Sequence, residues 1–234
     1  MPDLQTITKD FTPSWLYRNH HIQTLLGSAQ FTSIPISPAT CSIPTHHPQV
    51  PSLHAKHYAQ NSKHLIIMVH GLAGRSDSHY MKYSAKHFLH KGFDVACVSL
   101  PGNEDSAPYL YQAGDHRFFD SILDFFQGQF DHIFWVCYSL SGNMLLKWVQ
   151  KPKSITASVA VSPVIELTQS AALLDQPQNK LYQKYFLRTL SQLFQTKYQM
   201  HPGIFEPYRT VVGAKSVRAF DETFTCPFHG YAST

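Results

Sequence analysis

Residues 132–148 read HIFWVCYSLSGNMLLKW, and this stretch decides the fold. Its first six residues form an apolar run that predicts a buried β-strand, and the residues from 140 to about 150 predict a helix. Ser139 lies at the junction, with Cys137 and Ser141 two positions away on either side. A serine on a tight strand-to-helix turn is typical of a nucleophile elbow, which needs small residues at those flanking positions. The alternative is that Ser139 only caps the helix.

Strand and helix patterns alternate around this stretch. Three more apolar runs predict strands, at residues 65–69, 93–98 and 157–161. Two amphipathic segments predict helices between them, at residues 77–91 and 113–130. Continuous apolar strands separated by helices predict an α/β fold whose mostly parallel sheet has helices on both faces.

The two ends of the chain differ from this central region. Residues 1–64 are rich in proline, so we expect short antiparallel strands near 30–36 and 54–59 and no long helix. Residues 163–219 predict helices without an intervening strand, which is typical of a cap-like insertion. We therefore expect a single domain over residues 1–234, with its core at 65–162.

The segment His70-Gly71-Leu72-Ala73-Gly74 directly follows the strand predicted at 65–69. A turn at this place can direct the Leu72 amide at the oxyanion of an acyl-transfer intermediate, and Leu140, the residue after the serine, supplies a second amide. His70 and Gly71 would support the turn, and His70 is not the expected base because the base follows the nucleophile along the chain. The alternative is that these glycines only end a strand.

Composition limits the classes of ligand and partner. Of 234 residues, 43% are hydrophobic, which fits a globular domain, and the 19 Lys and Arg form no basic run. We therefore expect neither nucleic-acid binding nor a polybasic membrane patch. The four cysteines are too widely spaced for a metal or redox pair, so we expect no metal and no cofactor. Neither a signal peptide nor a transmembrane segment is predicted, which favours a cytoplasmic location.

Seven motifs, including the turn at 70–74 and the stretch around Ser139 described above, occur in a consistent order along the chain. They are residues 11–16, 19–24, 70–74, 77–80, 111–115, 138–147 and 220–231. Together they resemble the YheT-like family of α/β-hydrolases. The resemblance implies the α/β-hydrolase fold and a serine hydrolase of carboxylic esters, with a small-molecule or lipid ester as substrate.

The chain also departs from that family. Cys137 and Ser141 stand where the family usually has glycines, and residues 100–103, Leu-Pro-Gly-Asn, replace an Arg-Gly-Cys turn. In the family, the segment that resembles 220–231 leads into strands that carry the catalytic Asp and His. We therefore expect this chain to end, at Thr234, before those strands.

Substitute acid and base candidates do follow Ser139 in the sequence. Asp221 and Glu222 are the candidate acids, and His229 and His201 are the candidate bases. The resemblance places Asp221 and His229 ahead of the family's acid strand, so we expect no complete triad within these residues.

Two classes of function remain open. The first is an esterase or lipase-like enzyme that forms an acyl intermediate on Ser139. The second is an inactive, truncated hydrolase or a binding module, and a sequence cut short is a third explanation. A sheet that ends at strand 157–161 would leave an unpaired apolar edge, so we expect poor solubility.

Overall fold

The structure, a computed structural model, describes residues 12–19, 21–24, 33–102 and 105–232. The sequence expectations for Phe11, His20, residues 30–32 and Asn103 lie outside the described residues.

Six strands form one mixed sheet in the order β1-β2-β4-β3-β5-β6. The strands are β1 (Ala39–His47), β2 (Val50–Tyr58), β3 (His64–Val69), β4 (Asp94–Ser99), β5 (His132–Tyr138) and β6 (Ala157–Val161). Strand β2 pairs antiparallel with β1 and β4, whereas the pairs β4–β3, β3–β5 and β5–β6 are parallel. The parallel part therefore consists of the four strands that the apolar runs predicted.

Helices connect these strands and follow the last of them. The longer helices are α1 (His79–His90), α2 (Phe118–Phe126), α3 (Leu140–Trp148), α4 (Leu167–Leu174) and α5 (Lys180–Met200). Short helical segments are α6 (Pro202–Phe205), α7 (Val217–Phe220), α8 (Cys226–His229), Trp15–Arg18, Pro177–Asn179, Glu206–Gly213 and Asp221–Thr225. None of the helices that the structure describes is long and apolar enough to cross a bilayer.

The first strand is not where the sequence predicted it. Residues 33–36 are outside any strand, and β1 begins at Ala39 instead. Pro44 lies within β1, next to a register shift between Pro44 and His47. A proline is tolerated there because β1 is an edge strand, where no second neighbour needs the missing N–H.

The helix predicted at 113–130 is shorter than the pattern suggested. It begins only at Phe118, because the Gln112 carbonyl accepts a hydrogen bond from the Asp115 amide and closes a turn. It ends at Phe126, and Gly128 then has a φ of 82°, a left-handed conformation that terminates the helical path.

Helices cover both faces of the sheet, as predicted. On one face α2 and α3 bring Phe119 and Trp148 against Trp135 of β5, with ring centroids 5.0 Å apart for Phe119–Trp135 and 4.9 Å for Trp135–Trp148. On the other face α1 buries Met81 and Ala85. Each large apolar side chain buried in this way contributes about 1.5–3 kcal/mol.

A third apolar cluster joins α5 to the helical segments that follow it. Leu72 and Ala73 pack against this cluster, so the helical region lies against the turn of residues 70–74. Helical segments continue to His229, beyond the predicted end of the insertion at residue 219. The buried members of the cluster are Leu110, Leu190, Leu193, Phe194, Phe205, Val211, Val217, Phe220 and Phe224.

Strand β6 lies at the open edge of the sheet and is poorly covered. Val159 is 54% exposed and Val161 is 37% exposed. The strand contains no charged side chain and no proline, which are the residues that usually protect an edge from pairing with another chain.

We expect Val159→Lys to raise the monomeric, soluble fraction of the chain, because a lysine on an exposed edge strand opposes edge-to-edge association. Size-exclusion chromatography with light scattering measures this fraction. The matched control is Val212→Lys, since Val212 is also exposed, at 41%, but lies outside the sheet. An equal gain in the control would show that added charge, and not the β6 edge, controls association.

Candidate active site

Ser139 lies on a strained turn between β5 and α3. Its φ of 53° and ψ of −114° are rarely adopted by residues other than glycine. The Ser139 amide donates to the Val161 carbonyl of β6 at 2.9 Å, and the Ser139 carbonyl accepts from the Asn143 amide at 3.2 Å. Backbone strain of this kind costs about 1–3 kcal/mol and is concentrated at functional sites. The serine side chain is half-buried.

Gly71 lies directly against this turn. A Cβ at position 71 would lie 3.0 Å from the Ser139 Cβ and 3.2 Å from the Tyr138 carbonyl oxygen. It would also lie 3.6 Å from the Ser139 Oγ. Only glycine allows so close an approach, which brings together the two turns that carry Leu72 and Leu140.

The amides of Leu72 and Leu140 are the candidate donors to an oxyanion. Leu140 is the first residue of α3, so its N–H has no carbonyl partner within the helix. Within the described ranges, the amides of Gly71, Ala73 and Gly74 donate hydrogen bonds, and none is found for the Leu72 amide. Two such amides beside a serine are the donors that an oxyanion requires.

Two tyrosine hydroxyls hold the turn of residues 70–74 in place. The Tyr80 hydroxyl, from α1, accepts from the Gly71 amide at 3.0 Å. The buried Tyr111 hydroxyl donates to the Gly71 carbonyl at 2.8 Å and accepts from the Ala73 amide at 2.9 Å. Sequence patterns do not reveal this role, although Tyr80 and Tyr111 lie within two of the motifs, at 77–80 and 111–115.

His70 also supports the turn, as a buried neutral side chain. Its Nε2 accepts from the Leu100 amide at 3.0 Å, and therefore carries no proton. Its Nδ1–H donates to the Gly71 carbonyl at 2.8 Å. The backbone of Leu100, the first residue of the Leu-Pro-Gly-Asn segment at 100–103, thus holds His70 in place.

The residues beside Ser139 have separate roles. Cys137 is fully buried, and burial raises the pKa of its thiol, so the thiol stays protonated. The Ser141 hydroxyl accepts from the Tyr138 amide and donates to the Val69 carbonyl, each at 2.9 Å. On the helix side, a Cβ at Gly142 would lie 3.2 Å from the Pro163 Cβ. Gly142 therefore lets α3 approach Pro163 closely. It lies three residues after Ser139, so the requirement for small residues two positions from the serine did not identify it.

The two candidate bases form hydrogen bonds with backbone carbonyls. His229 Nε2 donates to the Leu110 carbonyl at 2.9 Å, and burial lowers the pKa of His229, which favours the neutral ring. His201 Nε2 lies 2.6 Å from the Ser106 carbonyl, to which it donates. No hydrogen bond joins either histidine to Ser139 in the described part of the chain.

The candidate acids are not paired with a histidine either. Asp221 accepts from the Thr225 hydroxyl at 2.7 Å, and burial raises the pKa of the Asp221 carboxyl. Glu222 is exposed to solvent. These acids and the candidate bases follow Ser139 in the sequence, but no hydrogen bond among the described residues joins them into a triad. No cluster of three His, Cys, Asp or Glu side chains suited to a metal ion is found among the residues described.

We expect Tyr111→Phe to lower the free energy of unfolding by about 1–3 kcal/mol, because the substitution leaves the half-buried Ala73 amide without its acceptor and removes the donor to the Gly71 carbonyl. Urea denaturation measures the change. Tyr83→Phe is the matched control, since Tyr83 is 59% exposed on α1 and should shift stability by less than about 0.5 kcal/mol. Equal effects of the two variants would contradict the supporting role of Tyr111.

Comparisons with known proteins agree with this architecture. The sequence profile of the alpha/beta hydrolase fold matches residues 64–205. Two crystal structures of an esterase from Pyrococcus furiosus are similar to this chain, with TM-scores of 0.53 and 0.54 and identities of 16% and 19%. The alignments cover 68% and 71% of this chain and 68% and 67% of the esterase.

A further similar structure is the alpha/beta hydrolase GrgF from Penicillium sp. sh18. It has a TM-score of 0.50 and 16% identity, and the alignment covers 59% of this chain and 52% of that one. At these identities the likeness concerns the fold alone. No curated protein matches the sequence.

Proposed function

Since the chain belongs to the alpha/beta hydrolase fold family, we propose that it is a serine hydrolase that cleaves carboxylic esters. The observation that carries the proposal is the strained turn at Ser139 with Gly71 packed against it. Ser139 Oγ attacks the ester carbonyl, the Leu72 and Leu140 amides stabilise the oxyanion, and the alcohol leaves with the serine proton. Water then hydrolyses the acyl-serine and releases the acid.

The proposed substrate is a small-molecule or lipid ester with an apolar acyl group. Leu72 packs against both the sheet core and the helical cluster formed by α5 and the later segments. An acyl chain entering beside Leu72 would therefore meet apolar side chains. The motifs of the sequence support assignment to the YheT-like subfamily, and we propose residues 163–219 as its cap.

A non-catalytic binding module is the second candidate function. It is favoured by a specific observation, namely that the described residues provide no histidine bonded to Ser139. A serine without an adjacent base is an ordinary alcohol and a weak nucleophile.

Intact mass spectrometry with a fluorophosphonate probe separates the two functions. In the labelling reaction Ser139 Oγ forms a bond to phosphorus, fluoride leaves, and the serine proton is released. We expect one adduct on the folded chain, located by peptide mapping at Ser139. A folded chain that stays unlabelled would overturn the enzyme proposal and leave the binding module.

A further inference from the structure

The outward surface of α5 changes character along its length. The inward side packs Leu190, Leu193 and Phe194 into the helical cluster. On the outward side, the first turns expose Leu181 and Tyr185, at 79% and 66%. Farther along the helix the exposed positions include Gln192, Gln195 and Gln199, which are neutral and polar, and the helix ends at Met200, which is 52% exposed.

Three cations accompany these exposed apolar side chains. Lys180, Lys184 and Arg188 are exposed and follow one another at intervals of four residues, so they lie near one another on the helix surface. Helix α5 contains no Asp or Glu, and none of the three cations forms a salt bridge within the described part of the chain. No carboxylate therefore lies within salt-bridge distance of these cations in the described part of the chain.

Helix α4, which contacts α5, and the residues that lead into it also expose large apolar side chains. Leu173 at the end of α4 is 53% exposed, and Ile165 and Leu167 at its start are 69% and 46% exposed. The two acids of this region are Glu166 and Asp175, and Asp175 accepts a hydrogen bond from the Gln183 side chain. We call these exposed residues of the two contacting helices, and of the segment that leads into α4, the α4–α5 patch: Ile165, Leu167, Leu173, Lys180, Leu181, Lys184, Tyr185 and Arg188.

We propose that the α4–α5 patch binds the surface of a membrane that contains anionic lipids. Leu181 and Tyr185 alternate with the cations, so apolar side chains can enter the acyl boundary while the cations meet the headgroups. A cationic surface for nucleic acid would not need so many large exposed apolar side chains. The sequence contains no basic run, and helical spacing is what brings these cations together.

The proposal is independent of the role of Ser139. A flotation assay with lipid vesicles tests it. Aggregated protein sediments in this assay, so only vesicle-bound protein floats. We expect the chain to float with phosphatidylcholine vesicles that contain phosphatidylserine and to stay unbound with phosphatidylcholine alone. Raising the salt concentration should weaken binding, because it screens the charges.

The decisive variant is the triple substitution Lys180→Gln, Lys184→Gln and Arg188→Gln. Each cation contributes about fivefold to binding at an anionic surface, so we expect the partition coefficient to fall about 100-fold. The control carries the same loss of charge at exposed lysines elsewhere: Lys91→Gln, Lys147→Gln and Lys151→Gln. Circular dichroism verifies that both variants are folded.

A second variant, Leu181→Ser with Tyr185→Ser, should weaken binding while keeping its salt dependence, because it removes only the apolar part. Three results would each overturn the proposal. The first is a loss of binding in the control variant equal to that in the triple variant. The second is equal flotation with neutral and anionic vesicles. The third is no flotation of the unaltered chain, which would favour a protein partner for the patch.

Discussion

Ser139→Ala is expected to abolish fluorophosphonate labelling and to lower kcat for a short-chain ester by at least about 10³-fold, because no acyl intermediate can form without the hydroxyl. The folded structure should be unaffected, since Ser139 bonds to its neighbours through backbone atoms. Hydrolysis of a chromogenic ester and intact mass spectrometry measure the two effects, and thermal melting tests the fold.

Ser158→Ala is the matched control for this experiment. Ser158 is exposed on the adjacent strand β6, away from the strained turn. The control should retain labelling and hydrolysis at the level of the unaltered chain. If hydrolysis persists in the Ser139 variant, the proposed nucleophile is wrong.

The largest stability effect is expected at Lys197, which is fully buried on α5. Its Nζ donates to the Asp105 carboxylate at 2.8 Å, to the Asp105 carbonyl at 2.8 Å and to the Ala107 carbonyl at 2.7 Å. These three bonds use every ammonium proton and tie α5 to the segment that follows β4.

Lys197→Met should lower the free energy of unfolding by about 3–5 kcal/mol, because it leaves the Asp105 carboxylate buried without its cation. Urea denaturation at neutral pH measures the loss. Lys184→Met is the control, since Lys184 is exposed on the same helix and its replacement should change stability by less than about 0.5 kcal/mol.

A double variant tests whether the ion pair itself is responsible. Lys197→Met combined with Asp105→Asn should cost less than the sum of the two single substitutions, because neither partner then leaves an unpaired charge. Strict additivity would show that Lys197 stabilises the protein only through its packing and its carbonyl contacts.

Local sequence patterns predicted the central part of the fold. The apolar runs located β3, β4 and β5, because strands buried on both faces need continuous apolar residues. They also located β6, which has the same apolar pattern although the structure leaves it largely exposed at the sheet edge. The pattern also placed Ser139 at the end of a strand and the start of a helix. Strand β1 was misplaced because Pro44 disfavours a strand in sequence but is accommodated at a sheet edge.

Local sequence patterns could not predict contacts between residues that are far apart in the chain. Lys197 and Asp105 are 92 positions apart, and Tyr111 is 40 positions from Gly71, so no periodicity connects them. A lysine in a helix normally predicts a solvated position, and only the tertiary structure shows this one to be buried. His229 was a candidate base because it follows Ser139 in the sequence. Its hydrogen bond to the Leu110 carbonyl joins residues 119 positions apart, so only the tertiary structure shows it.

The Gly71 carbonyl, finally, determines more than its own position. It accepts from His70 Nδ1 at 2.8 Å, from the Tyr111 hydroxyl at 2.8 Å and from the Gly74 amide at 3.1 Å. The same planar peptide unit carries the Leu72 N–H, pointing the opposite way. A peptide flip would break all three bonds, so the direction of the Leu72 N–H is fixed before any ligand arrives, and binding there requires no reorganisation of the turn.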